Sequence, residues 1–238
     1  MKKAIVIGAT SGIGRGVATL LATNGYRVGI TGRRELFLQE LKAENPDAYV
    51  VRVFDLTNVN DIPQHLDALT QELGGLDLLL INSGTGHRNP TLDFSIEEPA
   101  ILTNVHGFTA AADWGFNYFQ KQEFGHLAVV SSIAGIRGNR YAPAYGASKA
   151  YQMSYMASLR HKADNLKLDI ALTDIRPGFV DTAMAQGDGI FWVASVEKAA
   201  TQIVSALLKR KKTVYITRRW RIVAFLLPLI PNWIYNRI

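Results

Sequence analysis

The sequence predicts an α/β protein built on a doubly wound parallel sheet of about seven strands, with helices on both faces. Short β-rich runs alternate with longer helical patterns along the 238 residues. Several of the short runs are apolar throughout, as strands covered by helices on both sides must be. Such alternation is typical of right-handed βαβ units. We expect one domain over residues 1–217 and a tail at residues 218–238.

The predicted strands are the short apolar runs, and the predicted helices are the longer stretches between them. The first run stops at Gly8, too early for the apolar part of a signal peptide. We therefore interpret it as the first buried strand of a cytoplasmic protein. The strands are predicted at residues 3–7, 27–31, 48–53, 77–81, 126–131, 168–174 and 213–217. The helices are predicted at residues 13–24, 34–44, 58–73, 97–121, 146–163 and 196–209.

The composition excludes several classes of protein. Apolar residues make up 48% of the chain and charged residues 19%, a balance that excludes intrinsic disorder. No apolar run approaches the ~20 residues needed to cross a bilayer. The absence of cysteine excludes disulfides, thiolate metal sites and a cysteine nucleophile. The five histidines lack metal-ligand spacing, so we predict no metal site.

The net charge of +6 is unevenly distributed. Residues 1–197 carry 17 basic and 20 acidic side chains, whereas residues 198–238 carry nine basic side chains and no acid. A basic body would suggest nucleic-acid binding, but this body is slightly acidic. We therefore predict no nucleic-acid partner. The excess of positive charge lies in the tail, so any function of that charge has to be sought there.

A glycine-rich segment joins the first strand to the first helix, with the sequence Gly8-Ala9-Thr10-Ser11-Gly12-Ile13-Gly14. Glycine allows a tight turn and lets the backbone approach a pyrophosphate, and the helix N-terminus then presents free N–H groups to the phosphates. The alternative is a glycine turn that merely starts a helix. The position directly after the first strand favours dinucleotide binding.

The end of the second strand indicates which dinucleotide is bound. An NAD site usually has an acid here for the ribose 2′-hydroxyl, whereas an NADP site has arginine for the 2′-phosphate. Gly32 leaves that acid absent, and Arg33, followed by Arg34, offers a guanidinium fork suited to phosphate. Arg15 adds positive charge on the same side. The alternative is a solvated arginine pair, although cations are slightly unfavourable at a helix start. We predict NADP(H).

Tyr145 and Lys149 stand four residues apart at the start of a predicted helix, so their side chains share one face. A neighbouring ammonium stabilises a phenolate and lowers the tyrosine pKa from about 10 towards a range useful for proton transfer. The alternative is a pair on a solvated helix face. Further polar residues follow strands in order: Asn82 after the fourth, Ser132 after the fifth, and the segment Pro177–Thr182 after the sixth. The carboxyl ends of the strands lie at one edge of a doubly wound sheet, and these residues directly follow those ends.

Together these motifs resemble the short-chain dehydrogenase/reductase family, in its compact single-domain form, over about residues 3–217. The resemblance implies that Tyr145 transfers a proton to or from the substrate oxygen while hydride moves to or from the nicotinamide. It implies that Ser132 orients that oxygen, that Lys149 lowers the Tyr145 pKa and bonds the ribose, and that Asn104 holds a water linking Lys149 to a proton relay. The implied cofactor-binding residues are Gly8, Thr10, Ser11, Gly12, Ile13, Gly14, Arg33, Asp55, Leu56, Asn82, Gly84, Tyr145, Lys149, Pro177, Gly178 and Thr182.

The resemblance also implies a homodimer or homotetramer formed through the helices at residues 97–121 and 146–163. Two departures concern the scaffold and cofactor motifs: Ile7 stands where the family often has threonine, and Ser83 stands within the segment that usually reads Asn-Asn-Ala-Gly. These departures affect the subfamily, not the catalytic positions. The expected activity is NADP-dependent interconversion of a carbonyl and an alcohol, and the alternative is a catalytically idle dinucleotide-binding sensor or docking protein.

Two apolar segments bear on the substrate and on the surroundings. Residues 183–195 follow Thr182 and include Met184, Ile190, Phe191, Trp192 and Val193, which indicate either a lipophilic substrate or a lid that simply packs down. The tail combines arginines with apolar and aromatic residues, a pattern that suits peripheral contact with anionic lipid. Packing of the tail on a sister subunit or over the active site is the alternative. His87 is either a substrate contact or an ordinary loop residue.

Overall fold

The computed structural model describes residues 1–184 and 191–237. It contains one seven-stranded parallel sheet in the order β3-β2-β1-β4-β5-β6-β7, which is the doubly wound arrangement of the Rossmann fold. The strands are β1 (Lys2–Ile7), β2 (Tyr26–Gly32), β3 (Tyr49–Val53), β4 (Leu78–Ile81), β5 (Phe124–Val130), β6 (Asp169–Pro177) and β7 (Thr213–Ile216). The predicted fold class is therefore confirmed.

Helices cover both faces of the sheet. They are α1 (Gly12–Thr23), α2 (Glu35–Glu44), α3 (Ile62–Leu73), α4 (Phe94–Ile101), α5 (Phe108–Gln122), α6 (Pro143–Asn165), α7 (Val196–Leu208), α8 (Trp220–Leu226) and α9 (Asn232–Tyr235). A π-helical turn (Leu102–Gly107) joins α4 to α5, and short 3₁₀ turns lie at Ile133–Gly135 and Leu227–Leu229.

Alternate residues of each central strand serve two separate cores. In β1, Ala4 and Val6 pack with α1, α2 and α7, whereas Ile5 and Ile7 pack with α3, α5 and α6. All four side chains are buried, because a strand covered on both faces leaves no solvent side. This accounts for the continuous apolar runs in the sequence.

The order of the strands reverses between β1 and β4, and this switch point positions the site. Chain connections leave β1 and β4 in opposite directions across the sheet, so a crevice opens at their carboxyl ends. The backbone N–H groups of Asn82 and Ser83 both donate to Ile7 O at 2.9 Å, which holds the two strand ends together.

The stretch predicted to be helical at residues 97–121 is helical throughout, but a π-helical turn within it separates α4 from α5. Pro99 lies inside α4 and supplies no N–H to the preceding turn. In the wider turn that follows, the amide of Asn104 bonds the backbone of Thr85, accepting from its N–H at 2.9 Å and donating to its C=O at 2.7 Å. The turn therefore pairs with a distant loop, which a local pattern does not reveal.

Beyond β7 the chain packs back onto the body of the protein. Trp220 of α8 is buried against Gly178, Phe179 and the described part of the lid at Phe191. No helix in residues 1–184 and 191–237 is long and apolar enough to span a membrane.

Candidate active site

A cleft of about 680 Å³ opens at the carboxyl edge of the sheet, at the switch point. Its lining brings together the predicted site residues Gly8, Thr10, Ser11, Gly12, Ile13, Arg33, Asp55, Leu56, Asn82, Gly84, Ser132, Tyr145, Lys149, Pro177, Gly178 and Thr182. The remaining two, Gly14 and Asn104, lie behind this lining. His87 also lines the cleft, and its Nε2 lies 3.4 Å from the hydroxyl of Thr85.

The glycine loop forms one end of the cleft. Gly8 has φ +90°, and a Cβ there would lie 2.8 Å from Ser83 N, so the turn needs glycine. The Asn82 amide donates to Gly8 O at 2.8 Å and ties the loop to the end of β4. Ser11, the residue before α1, makes no side-chain cap, which leaves the first N–H groups of the helix facing the cleft. This arrangement suits an anionic ligand.

The two arginines after β2, Arg33 and Arg34, make different contacts. Arg34 Nη2 donates to Thr10 Oγ1 at 2.6 Å and to Ser11 Oγ at 2.7 Å, directly at the glycine loop. Arg33 is 70% exposed, with its Nη1 3.4 Å from Asp55 Oδ2. Arg15 donates to Glu44 at 2.7 Å, so its charge is already paired. The sequence singled out Arg33, whereas the structure places its neighbour Arg34 against the loop.

The carboxylate of Asp55 lies at the same end of the cleft. It accepts hydrogen bonds from the N–H and hydroxyl of Thr57, each at 2.9 Å. Burial raises the pKa of Asp55, but the Thr57 bonds and Arg33 outweigh burial and hold that pKa below its ordinary value. Asp55 is therefore an ionised acceptor facing the cleft.

Tyr145 and Ser132 meet in the middle of the cleft. Pro143 starts α6, which places Tyr145 in its first turn, and the Tyr145 and Ser132 side chains both line the cleft there. The expectation that Lys149 lowers the Tyr145 pKa is wrong for this structure, because burial raises the pKa of Tyr145 above its ordinary value and only the Ser132 side chain acts in the opposite direction. The phenol is thus protonated at neutral pH, as a proton donor must be.

Lys149 lies one helical turn from Tyr145, with its Nζ 5.8 Å from the centre of the tyrosine ring. It is 3% exposed and donates to Val130 O at 3.0 Å. Burial lowers the pKa of Lys149 to about 8, although the Asp174 carboxylate favours the charged form. A buried ammonium with so low a pKa is a group that changes charge near physiological pH.

Sequence reasoning missed two residues of this region. Gln152 is completely buried and bonds both Lys149 and Asn104; its spacing of three from Lys149 on a helix was the available signal. Arg137 follows the 3₁₀ turn after Ser132, and its guanidinium donates to Leu227 O at 2.8 Å and Ile230 O at 2.5 Å. No local pattern signals that contact.

The tail and the lid complete the wall opposite the loop. Leu227 and Tyr235 of the tail line the cleft together with Phe179 and Met184, and Tyr235 donates its hydroxyl proton to Gly138 O at 2.7 Å. The tail therefore roofs part of the cleft. Of the predicted lid, Phe191, Trp192 and Val193 are partly exposed, and Ile190 lies outside the described residues.

A dinucleotide fits the groups that this cleft offers. The buried hydroxyl of Thr31, at the end of β2, lines the cleft and has no hydrogen-bond partner among the described residues. The glycine loop is packed so tightly that a Cβ at Gly8 or Gly14 would collide with Ser83, with the Gly8 carbonyl oxygen or with the Asn82 amide, so its shape requires glycine. In the described part of the chain, no cluster of three or more histidine, aspartate or glutamate side chains is arranged for a metal ion.

Comparison with known proteins agrees with this geometry. The family model described as "short chain dehydrogenase" matches residues 2–189. An uncharacterized oxidoreductase of Myxococcus xanthus is 38% identical over 188 residues, covering 77% of this chain and 74% of that protein. An uncharacterized oxidoreductase of Staphylococcus aureus is 31% identical over 186 residues, covering 77% and 80%, and one of Mycobacterium tuberculosis is 30% identical over 191 residues, covering 77% and 75%.

Proposed function

This chain belongs to the short-chain dehydrogenase family, and we propose that within it the protein is an NADP-dependent oxidoreductase that interconverts a carbonyl and an alcohol. The observation that carries the proposal is that Tyr145 and Ser132 line the same cleft as the glycine loop, with the buried Lys149 beside the tyrosine ring. A module that only binds a dinucleotide has no need of a proton donor at this position.

The protein's own residues supply orientation and the proton. Ser132 and the Tyr145 hydroxyl both donate to the substrate oxygen, which orients the carbonyl and polarises it. Tyr145 gives its proton to that oxygen during reduction and takes it back during oxidation. The Lys149 ammonium stabilises the phenolate that is left. The nicotinamide, when bound, supplies or accepts the hydride.

We propose NADP rather than NAD because of the arginines after β2. Both hydrogen bonds of Arg34 within the described chain go to neutral hydroxyl oxygens, so its charge is available to a phosphate. Arg33 stands beside it with an exposed guanidinium. Gly32 leaves no carboxylate at the end of β2 to favour a free ribose hydroxyl.

The cofactor preference is measured by equilibrium fluorescence titration with NADPH and NADH. We expect the wild-type protein to prefer NADPH by more than about tenfold, or roughly 1.4 kcal/mol, and Arg34→Ala to lose most of that preference by weakening NADPH binding alone. Arg27→Ala, at the opposite end of β2, is the matched control and should keep it. Equal binding of the two cofactors by the wild-type protein would contradict the NADP assignment.

We propose a lipophilic carbonyl compound as the substrate. Phe179, Met184 and Leu227 line the cleft from three segments of the chain, which favours an apolar body beside the reacting carbonyl. A screen of lipophilic ketones and aldehydes with NADPH tests the activity. Tight NADPH binding without turnover of any of them would support the idle sensor or docking protein instead.

We further propose that residues 1–217 form the catalytic domain and that residues 218–238 contact an anionic membrane surface. On the inner side of α8, Trp220 and Ala224 are buried. The outer side of α8 and the 3₁₀ turn after it carry an exposed apolar stripe, defined by Ile222, Phe225, Leu226 and Leu229, which are 49–71% exposed. Arginines at positions 218, 219 and 221 flank the stripe. Pairing with a second copy of this stripe would bring like charges together, whereas anionic lipid neutralises them.

The membrane contact is tested on the folded protein with substitutions confined to the stripe. We expect Ile222→Ser, Phe225→Ser and Leu229→Ser in combination to weaken binding to vesicles containing phosphatidylserine by at least roughly 100-fold, because three apolar side chains no longer enter the lipid. Leu36→Ser, which alters a 70% exposed leucine on α2, is the control. Unchanged vesicle sedimentation by the triple variant would rule out this surface as the contact.

Two other features belong to the proposal. A cytoplasmic location agrees with the cysteine-free sequence. A homodimer or homotetramer through α5 and α6 is supported by half-buried aromatic pairs on their outer faces, in which Trp114 stacks on Tyr118 and Tyr151 on Tyr155.

A further inference from the structure

The side chain of Gln152 connects Lys149, which lines the cleft, to Asn104, which lies behind the lining. Its Oε1 accepts a hydrogen bond from Lys149 Nζ at 3.0 Å, and its Nε2 donates to the main-chain O of Asn104 at 2.9 Å. An ammonium only donates and a carbonyl only accepts, so the two partners dictate the orientation of the amide. We propose that Gln152 is a positioning residue that holds the Lys149 ammonium beside Tyr145 and keeps it charged.

The surroundings of Lys149 make this contact consequential. The ammonium has three donors, of which one goes to Val130 O on β5 and one to Gln152, leaving the third for the cleft that Lys149 lines. Gly84 closes over the group, because a Cβ there would lie 3.1 Å from Lys149 Nζ. In so dry a site, loss of one of two carbonyl partners shifts the balance towards the neutral amine.

Gln152 joins Lys149 to Asn104, the residue that by the family resemblance would hold a water linking Lys149 to a proton relay. A water is mobile and exchanges protons, whereas an amide is fixed to α6 and releases no proton near neutral pH. The Gln152 bridge therefore anchors Lys149 to the π-helical turn without conducting protons.

Other titratable groups near Lys149 are the same in every Gln152 variant. Tyr145 lies on the same helix, and Asp174 approaches from β6 with its carboxylate paired to Arg176 Nε at 2.6 Å. His87, in the loop after β4, is held by Thr85. A difference between variants at position 152 therefore reports the group placed there.

Two substitutions separate positioning from simple packing. Gln152→Leu and Gln152→Glu each remove the donor to Asn104 O, but only the second introduces a carboxylate beside the ammonium. In carbonyl reduction, which rests on the proposed function, we expect the alkaline fall in kcat/KM to move to lower pH by roughly one unit in the leucine variant. In the glutamate variant it should move to higher pH by at least roughly one unit.

A second readout does not depend on turnover. The rate at which Lys149 reacts with a small amine-specific reagent, followed by mass spectrometry as a function of pH, reports the protonation of Lys149 itself, and its midpoint should shift in the same two directions. Met156→Leu, one turn further along α6, is a volume-conserving control that should leave both measurements unchanged. If the labelling midpoints shift as expected but no carbonyl is reduced, the proposed function fails and the role of Gln152 stands. Labelling midpoints that move in the same direction in both Gln152 variants, or that do not move, would overturn the proposed role of Gln152.

Discussion

Tyr145→Phe is expected to lower kcat for carbonyl reduction by roughly 10³-fold while changing NADPH affinity by less than about tenfold. The phenol is the donor of the transferred proton, and burial keeps it protonated at neutral pH. The remaining ring still fills its place, since it packs against Gly86 so closely that a Cβ there would overlap it. Steady-state kinetics and fluorescence titration of the same preparation separate catalysis from binding.

The matched control for this prediction is Tyr141→Phe. Tyr141 stands four residues earlier, before α6 begins, and its hydroxyl accepts a hydrogen bond from Arg140. The Tyr141→Phe variant should keep wild-type turnover. If Tyr145→Phe retained turnover within tenfold of the wild type, the proton would have to come from another group, and the proposed role of Tyr145 would be abandoned.

Gly14→Ala is expected to weaken NADPH binding by roughly 100-fold, equivalent to about 2.7 kcal/mol. A Cβ at this position would overlap the carbonyl oxygen of Gly8 and lie 2.5 Å from the amide nitrogen of Asn82. The Asn82 bond that shapes the glycine loop would break, and the first turn of α1 would move away from the phosphates. Isothermal titration with NADPH measures the loss, and a thermal melt checks that the variant is folded.

Gly138→Ala provides the control, because a Cβ at Gly138 meets no atom within 4 Å in the described structure and the backbone there is not left-handed. Both its NADPH affinity and its melting temperature should match those of the wild type. Unchanged NADPH affinity in Gly14→Ala would mean that the dinucleotide does not lie over this loop.

Much of the fold follows from the sequence because the relevant signals are local. Strands covered on both faces must be apolar at consecutive positions, and six of the seven predicted strands agree with the structure within two residues at each end. β6 is the exception, since it extends to Pro177, where the ladder with β7 continues to Ile216. The pairing of Tyr145 with Lys149 was equally local, because helical geometry alone places residues four apart on one face.

Other features depend on contacts between distant parts of the chain. The π-helical turn forms where Asn104 meets the loop at Thr85, a contact between segments that are far apart in the sequence. The choice between Arg33 and Arg34 depends on where the hydroxyls of Thr10 and Ser11 lie. Neighbouring arginines have the same local signal, so only the packed structure distinguishes them.

The tail shows most clearly the difference between what local sequence signals determine and what contacts between distant segments determine. By itself, the sequence determined that residues 218–238 are basic and apolar and left two interpretations open, lipid contact and packing on the protein. The tertiary structure decided that the segment packs on the body, through Trp220 and the Arg137 bonds to Leu227 and Ile230, while its outer stripe remains exposed. The physical reason is that composition and periodicity record how apolar a surface is, whereas the partner of each surface is selected by the three-dimensional arrangement of residues remote in the chain.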